Sequence, residues 1–215
     1  TVLTSLGAKE RLALSFRHMN DDPQNHIRVI PPLLRREVTL HEPYSGDYIH
    51  GYMVNAGFGE NVMKWHRQHP GIPLRFFWDK WEEEPVKRVD NTLSFYQLDD
   101  VEFLRQMAGC KAYASTAGFE SVCEAMYLGK PILMVPAHIE QDCNAYDAEK
   151  SGAGIISSDF NLQQLLEFAK DYHPNRDFVY WVRGAEYTLL NLLESDSSNY
   201  QQILFNEMYL VEEFI

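Results

Sequence analysis

The stretch STAGFESVCEAMYLGKPILMVPAHIEQDCNA, from Ser115 to Ala145, decides the fold of this chain. It overlaps KAYAST, residues 111–116, a semi-apolar run of strand length. Apolar residues then recur at i, i+3, i+4 and i+7, which predicts a helix with one buried face: Phe119, Val122, Cys123 and Met126. The segment GKP, 129–131, ends that helix, and the apolar run 132–135 predicts a strand buried on both faces. This order of elements is typical of a parallel α/β sheet.

A polar turn joins the first strand to the helix. Ser115 or Thr116 can cap the helix, and Gly118, which lacks a side chain, lets a phosphate reach the free backbone N–H groups at the helix start. Glu124 lies further along the helix, and a carboxylate there could accept hydrogen bonds from two ribose hydroxyls. It shares a helix face with two other polar residues, Glu120 and Ser121.

The segment after Pro136 is dense in hydrogen-bond donors and acceptors: His138, Glu140, Gln141 and Asn144. Such a set suits a ligand that carries many hydroxyls. We therefore expect a sugar to bind at this loop.

The pattern G-F-E-S-x-x-E-A-x-x-x-G-K-P-x-x-x-x-P, followed by E-Q-x-x-N-A, resembles the donor-binding signature of glycosyltransferases with the two-domain GT-B fold. These include the UDP-glycosyltransferases and the MurG-like enzymes. The resemblance is close from residue 115 to 145 and looser from 49 to 171. It implies that Gly118 and Ser121 meet the phosphates, Glu124 the ribose, and Glu140 with Gln141 the hexose.

Further positions follow from the same resemblance. The turn NAGFGEN, 55–61, with Gly57 and Gly59, corresponds to the first loop of the GT-B donor domain, which faces the cleft. Tyr96 and Gln97 stand where the resembling enzymes hold the base, although the Trp-x-Pro-Gln pattern is absent. The predicted donor set also contains Phe119 and two departures from the usual pattern, Thr116 in place of His and Glu120 in place of Asn.

Strands and helices alternate regularly from Ile49 onward, which predicts a Rossmann-like parallel sheet with helices on both faces. We expect an α/β donor domain at 48–172, preceded at 1–47 by the end of an N-terminal domain and a linker. Residues 173–215 are expected to form helices that pack back toward that domain. The predicted strands are 12–16, 27–30, 49–55, 74–78, 92–96, 111–115, 132–135 and 154–157, and the other predicted helices are 61–68, 101–108, 141–151, 162–172, 179–193 and 200–214.

This organisation is that of the C-terminal half of a GT-B enzyme, whose partner is its own N-terminal domain. In the resembling enzymes the general base belongs to that domain, so we expect the catalytic base to lie outside this chain and the fragment alone to be inactive.

Composition excludes several classes of function. Nineteen basic against thirty-one acidic residues give a net charge of −12, which disfavours nucleic acid as a partner. Three cysteines without C-x-x-C spacing indicate reduced thiols: Cys110, Cys123 and Cys143. The apolar runs fall short of the about 18 residues that a transmembrane segment needs. We expect a cytoplasmic protein, with a membrane-peripheral position of the full-length enzyme left open. His66 and His69 are interpreted as surface histidines, because two ligands make a poor zinc site.

The sequence contains no D-x-D triplet, the carboxylate pair that holds a divalent metal in the other major glycosyltransferase fold. We therefore expect a metal-independent reaction without a cofactor. Two Glu residues separated by seven others, a mark of many retaining GT-B enzymes, occur only at Glu186 and Glu194, outside the donor loop. Inversion is therefore favoured.

The predicted function is transfer of a hexose from a nucleotide sugar, UDP-hexose, to an acceptor hydroxyl. Two alternatives remain open. A nucleotide-sugar 2-epimerase of the same fold would bind the same donor but need no acceptor, and a non-catalytic module would bind a nucleotide sugar without turnover.

Overall fold

The structure, a computed structural model, describes residues 7–54, 57–80 and 84–194. The chain divides into two compact units. The larger unit is Leu34–Val179, and the smaller one combines Thr1–Leu33 with Tyr180–Ile215. The domain boundaries at 47 and 172 stay predictions.

The strands are β1 (Arg11–Leu14), β2 (Ile27–Ile30), β3 (Ile49–Met53), β4 (Leu74–Trp78), β5 (Val86–Arg88), β6 (Leu93–Gln97), β7 (Ala112–Ser115), β8 (Ile132–Met134) and β9 (Gly154–Ile156). The helices are α1 (Arg36–Thr39), α2 (Phe58–Gln68), α3 (Asp100–Gly109), α4 (Phe119–Tyr127), α5 (Ile139–Lys150), α6 (Leu162–Phe168), α7 (Arg176–Arg183) and α8 (185–194). A short 3-10 turn spans Pro23–Asn25.

The smaller unit contains a two-stranded parallel sheet. Strands β1 and β2 pair in parallel, with Leu14 of β1 opposite Ile30 of β2. Trp181 donates a hydrogen bond from Nε1 to the carbonyl of Ser15 at 3.0 Å, and its ring lies edge-on to His18. These contacts join the segment after β1 to α7.

The larger unit is built on a seven-stranded sheet in the order β5-β6-β4-β3-β7-β8-β9. All neighbouring strands are parallel except β5, which runs antiparallel to β6. Without β5, the chain order of the six parallel strands across the sheet is 3-2-1-4-5-6, which is the doubly wound order of Rossmann folds. The fold class predicted from the sequence is confirmed.

Both faces of the sheet are covered by helices, because alternate strand residues point to opposite sides. On one face, Phe76 belongs to a buried cluster with Val62 and Trp65 of α2 and Leu165 of α6. On the other, Phe77 packs edge-on against Phe103 of α3. All three residues of β8 are buried, as its continuous apolar sequence predicts. All four residues of the semi-apolar strand β7 are buried as well.

The element bounds differ from the prediction in a few places. The antiparallel strand β5 is absent from the prediction because its sequence, VKR, carries no apolar alternation. The predicted helix 179–193 is two helices, interrupted at Gly184, and α6 ends at Phe168 rather than at residue 172. The predicted helix 200–214 lies outside the described residues. None of the helices in the described part of the chain is both long and apolar enough to cross a membrane.

Candidate functional site

The carboxyl ends of β3 and β7 form the centre of the candidate site. The two strands are neighbours, with Tyr52 opposite Ser115. From here the chain continues in opposite directions across the sheet, to β4 after β3 and to β8 after β7. Ligands of open α/β sheets bind in the crevice at such a switch point. The turn into α4 borders this crevice.

The turn into α4 has a strained residue and an uncapped helix start. Ala117 has a left-handed φ of 59°, and its N–H donates to Oγ of Ser115 at 3.1 Å. Such a conformation costs a non-glycine residue about 1–2 kcal/mol. The N-cap is Gly118, and no side chain caps the helix. The prediction that Ser115 or Thr116 caps α4 is therefore wrong, since the left-handed turn at Ala117 places both before the cap.

An uncapped helix start leaves backbone N–H groups available to an external acceptor. Their partial positive charge, together with the helix dipole, favours an anion such as phosphate. Oγ of Ser121 donates to the carbonyl of Gly118 at 3.1 Å, so this hydroxyl lies at the same turn. Thr116 is fully buried, and its Oγ1 has no hydrogen-bond partner among the described residues.

Glu124, in the second half of α4, forms a two-fold ion pair with Arg35. Nε of Arg35 lies 2.6 Å from Oε1 of Glu124, and Nη2 lies 3.1 Å from Oε2. The Glu124 side chain is 6% exposed and that of Arg35 is 32% exposed. Nη1 of Arg35 also lies 3.3 Å from Oδ1 of Asp100, at the start of α3. Removing one partner of a fully buried pair costs about 3–5 kcal/mol, and partial exposure of Arg35 reduces that figure.

Burial and charge act in opposite directions on this pair. Burial raises the pKa of Glu124, and the hydrogen bonds and charge of Arg35 offset only part of that rise. Burial alone would lower the pKa of Arg35, but Glu124 and Asp100 outweigh it and raise that pKa overall. Glu124 is therefore a buried carboxylate whose ionised form depends on Arg35.

Helix α5 begins at Ile139, two residues earlier than predicted, so Glu140 lies on its first turn rather than in the loop before it. Gln141, the first residue of the predicted helix, lies on the same turn. Glu140 and His138 are exposed. Gln141 is buried, and its Oε1 accepts a hydrogen bond from the N–H of Ala137 at 2.8 Å.

Asn144 connects α5 to the turn before α4. Its Nδ2 donates to the carbonyl of Ala117 at 3.3 Å. The structure thus brings one part of the predicted donor set together at the turn before α4: Thr116, Gly118, Ser121 and Asn144.

Comparison with known families identifies the family of the chain. A family model described as glycosyl transferase family 1 matches residues 7–172, more than half of the chain. The chain belongs to glycosyl transferase family 1. The resemblance to GT-B glycosyltransferases predicted from the sequence is confirmed, and glycosyl transfer is the activity that this family supports.

Individual relatives of this family member are distant. A Caenorhabditis elegans protein, ugt-48, whose name assigns it to the UDP-glucuronosyltransferases, is 26% identical over 105 residues, which cover 48% of this chain and 20% of that protein. This relative is therefore matched over a small part of its own length.

Several solved structures resemble the fold. The glycotransferase of kitacinnamycin is 14% identical, with 81% of this chain and 50% of that chain covered and a TM-score of 0.57. CalG4, the calicheamicin glycosyltransferase, is 13% identical, with 79% of this chain and 48% of that chain covered and a TM-score of 0.56. Arabidopsis thaliana UGT89C1, solved with quercetin, is 16% identical, with 80% of this chain and 51% of that chain covered and a TM-score of 0.55. At these identities the likeness shows the fold alone. The chain of this family member spans about half the length of each structure.

The remaining predicted positions lie further from the turn before α4. Tyr96 and Gln97 end β6, which β4 separates from β3, so they stand about 10 Å from the switch point. The ring of Tyr96 stacks on Phe77 at 5.1 Å. Gly57 is the N-cap of α2, and Gly59 lies buried on the face of α2 that meets Trp78.

Two more members of the predicted set, Phe119 and Glu120, occupy the first turn of α4. Phe119 is half-buried and Glu120 is exposed. Glu120 therefore borders the crevice without entering the core.

The interpretation of His66 as a surface residue is wrong. His66 is 3% exposed, and its Nε2 lies 2.7 Å from Oδ2 of Asp90. His69 is half-buried and stacks on Trp65 at 4.1 Å. Among the described residues, no group of three or more His, Cys, Asp or Glu side chains could hold a metal ion.

Arg35 is the site residue that sequence reasoning missed. It lies in a polar stretch that resembles a linker, 89 residues before Glu124. Nothing in its local pattern distinguishes it from the adjacent Arg36, so only the fold reveals the pairing.

Proposed function

We propose that this chain is the donor-binding half of a glycosyltransferase that transfers a hexose from UDP-hexose to an acceptor hydroxyl, without a metal and with inversion. One observation carries the proposal: a buried carboxylate, Glu124, stands on the same short helix as an uncapped N-terminus at the switch point of a Rossmann-like sheet. Phosphates need the helix start, and vicinal ribose hydroxyls need a carboxylate within reach of it.

The phosphates of the donor would lie against the start of α4. The glycine at the cap position leaves space for them, and the amides of the first turn supply donors without the cost of burying another cation. Ser121 could turn its hydroxyl from the carbonyl of Gly118 toward a phosphate oxygen. The half-buried Asn144 braces the turn from α5.

The sugar would lie toward the start of α5. Glu140 is exposed there, and Gln141 has its amide oxygen engaged by Ala137, so its NH₂ group is the part available to a sugar hydroxyl. The base would extend toward Tyr96 and Gln97 at the end of β6. Of these assignments, those to the phosphates and ribose rest on the tightest cluster of contacts.

The role of this chain in transfer would be binding and electrostatics. As the acceptor oxygen bonds to the anomeric carbon, the bond to the diphosphate breaks and its electron pair leaves with the phosphate oxygen. The N–H groups at the start of α4 are positioned to stabilise that charge. The base that removes the acceptor proton belongs, in this proposal, to an N-terminal domain.

The same proposal assigns the smaller unit to contact with that domain. Its two-stranded parallel sheet exposes Leu12 and Leu14, which are 44% and 46% accessible. Parallel sheets are normally covered on both faces, and two strands alone are marginally stable. Further strands from an N-terminal domain would cover these side chains.

Calorimetric titration of the chain with UDP, GDP, ADP and TDP tests the proposal. We expect UDP to bind most tightly and UDP-hexose to compete for the same site. Absence of binding by all four diphosphates would overturn it. Release of a free sugar epimer from the donor alone, by the full-length protein, would favour the epimerase instead.

A further inference from the structure

Arg35 is held in place at both ends of its guanidinium group. Nε and Nη2 meet the two oxygens of Glu124 at 2.6 Å and 3.1 Å, and Nη1 meets Asp100 at 3.3 Å. Because the guanidinium is planar and binds side-on, it fixes the plane of the Glu124 carboxylate as well as its position. Arg35 therefore connects the segment before α1 to the first turn of α3 and to α4.

The pairing leaves part of the hydrogen-bonding capacity of the buried carboxylate unused. An ionised carboxylate offers about four lone-pair sites, of which Arg35 uses two. One acceptor site remains on each oxygen. Two hydroxyl groups on adjacent carbons match this arrangement, because each can donate to a different oxygen.

Arg35 also favours the ionised form of Glu124. The groups that face Glu124 are Arg35 from the segment before α1, Asp100 from α3, Glu120 from its own helix and the buried Tyr113 from β7. Asp100 and Glu120 are acidic and oppose ionisation, as does burial. Arg35 favours the charged form through both hydrogen bonds and charge.

We propose that Arg35 is a positioning residue for the nucleotide, which holds the Glu124 carboxylate ionised and in a fixed plane so that it accepts hydrogen bonds from the two ribose hydroxyls. This inference rests on the proposed function, and it adds a residue far from the donor signature. Arg35 itself need not touch the nucleotide. It stays bound to Glu124 when the nucleotide binds, since neutral hydroxyls cannot replace its charge in a buried site.

The experiment compares Arg35→Met and Arg35→Lys with the wild-type chain, using UDP and 2′,3′-dideoxy-UDP as probes. Arg105→Met is the matched control, because Arg105 makes a similar two-fold pair with Glu102 on the exposed side of α3. Affinities are measured from about pH 6 to about pH 9, a range that includes the pKa of buried, unpaired carboxyl groups.

We expect Arg35→Met to weaken UDP binding about 10- to 100-fold at the acid end, as for the loss of hydrogen bonds to a charged group. Without Arg35 the Glu124 pKa rises further, so the variant should regain part of its affinity as the pH increases and Glu124 ionises. The wild type should vary less over this range. The dideoxy probe lacks both hydroxyls, so its affinity should be similar in wild type and variant.

The outcomes separate the two levels of the proposal. Failure of the wild type to bind UDP overturns the proposed function and this inference with it. UDP binding that is unchanged in Arg35→Met, or that falls equally for UDP and the dideoxy probe, overturns the inference alone. If melting curves show that Arg35→Met does not fold, Arg35→Lys is the deciding variant, because lysine keeps the charge but makes a single contact. A loss of affinity for UDP alone supports the inference. An equal loss of affinity for UDP and the dideoxy probe overturns it.

Discussion

Gln141 accepts a hydrogen bond at Oε1 from the backbone N–H of Ala137, at 2.8 Å, and so ties the start of α5 to the residue four positions earlier. The predicted sugar-binding pair is therefore chemically unequal. Gln141 is buried and already serves the backbone, whereas the neighbouring Glu140 is exposed and free of a structural hydrogen bond among the described residues.

Separate alanine variants should reveal this difference. Glu140→Ala should weaken binding of UDP-hexose by about 1.5–3 kcal/mol, with UDP affinity and melting temperature unchanged, because a charged hydrogen bond to the sugar is lost. Gln141→Ala should lower the free energy of unfolding by about 0.5–1.5 kcal/mol as well. Calorimetry and urea unfolding measure the two effects. Asp142→Ala is the control, since Asp142 lies on the opposite side of α5. If Glu140→Ala lost affinity for UDP and UDP-hexose equally, Glu140 would not belong to the sugar site.

Glu124→Gln keeps the shape of the side chain and removes its charge. We expect UDP affinity to fall by about 1.5–3 kcal/mol, because hydrogen bonds from ribose to a charged acceptor become bonds to a neutral one. The matched variant Glu102→Gln breaks the exposed pair with Arg105 and should leave UDP binding intact. Unchanged affinity in Glu124→Gln would place the ribose elsewhere.

Lys130 should matter for stability alone. Its buried Nζ donates to the carbonyls of Tyr44 at 2.7 Å and Cys110 at 3.0 Å, just before β8 and so at the sheet edge opposite the crevice. Lys130→Met should cost about 1–3 kcal/mol of unfolding free energy, because both carbonyls lose their donor. UDP affinity should not change. Lys111→Met, an exposed lysine just before β7, is the control, and a selective loss of UDP binding in Lys130→Met would contradict this assignment.

His50 should make the protein sensitive to acid. It is fully buried between Phe77, Phe103 and Tyr113, and burial lowers its pKa from 6.5 to about 3. The unfolded chain therefore binds a proton that the folded chain does not, so stability is fully present above pH 6.5 and is lost as the pH falls toward 3.

The expected loss between about pH 7 and about pH 5 is about 2 kcal/mol from this residue. Urea unfolding at the two pH values measures the difference in unfolding free energy between them. In His50→Leu this difference should be smaller than in the wild type by the contribution of His50, whatever the effect of the substitution on packing. His173→Leu, at an exposed position, should behave like the wild type. An acid sensitivity that survives in His50→Leu would show that other groups cause it.

Chelation tests the expectation of metal independence. If the amides at the start of α4 neutralise the diphosphate, EDTA should leave UDP affinity unchanged. Titrations with EDTA, Mg²⁺ and Mn²⁺ provide the comparison. Strong dependence of UDP affinity on either metal would overturn the metal-free part of the proposed function.

The fold could be predicted well because its decisive signals are local. The runs LRFFW and IRVI predicted β4 and β2 with their observed bounds, since each is a short, mostly apolar run of strand length. β5 was not predicted because a polar edge strand of three residues has no such pattern. Hydrogen bonding to β6, rather than apolar burial, holds it in the sheet.

The candidate site could be predicted only in part. The spacing of Gly118 and Glu124 along one helix is local, so the sequence could indicate a phosphate and a ribose position. The cap lies at Gly118 instead of Ser115 or Thr116 because Ala117 adopts a left-handed conformation. Alanine rarely adopts this conformation, so the sequence does not predict it. The pairing of the buried His66 with Asp90, between β5 and β6, likewise joins residues from two separate segments.

The sequence by itself determined the alternation of strands and helices, the order that places the polar turns at one edge of a parallel sheet, and the family. Only the tertiary structure decided which distant residues meet. Arg35 and Glu124 are 89 positions apart, and Asn144 reaches Ala117 across 27. Periodicity records which face of an element is apolar, because burial acts on each element separately. A pairing between two polar groups leaves no period in either segment, so it emerges only when the fold brings the two segments together.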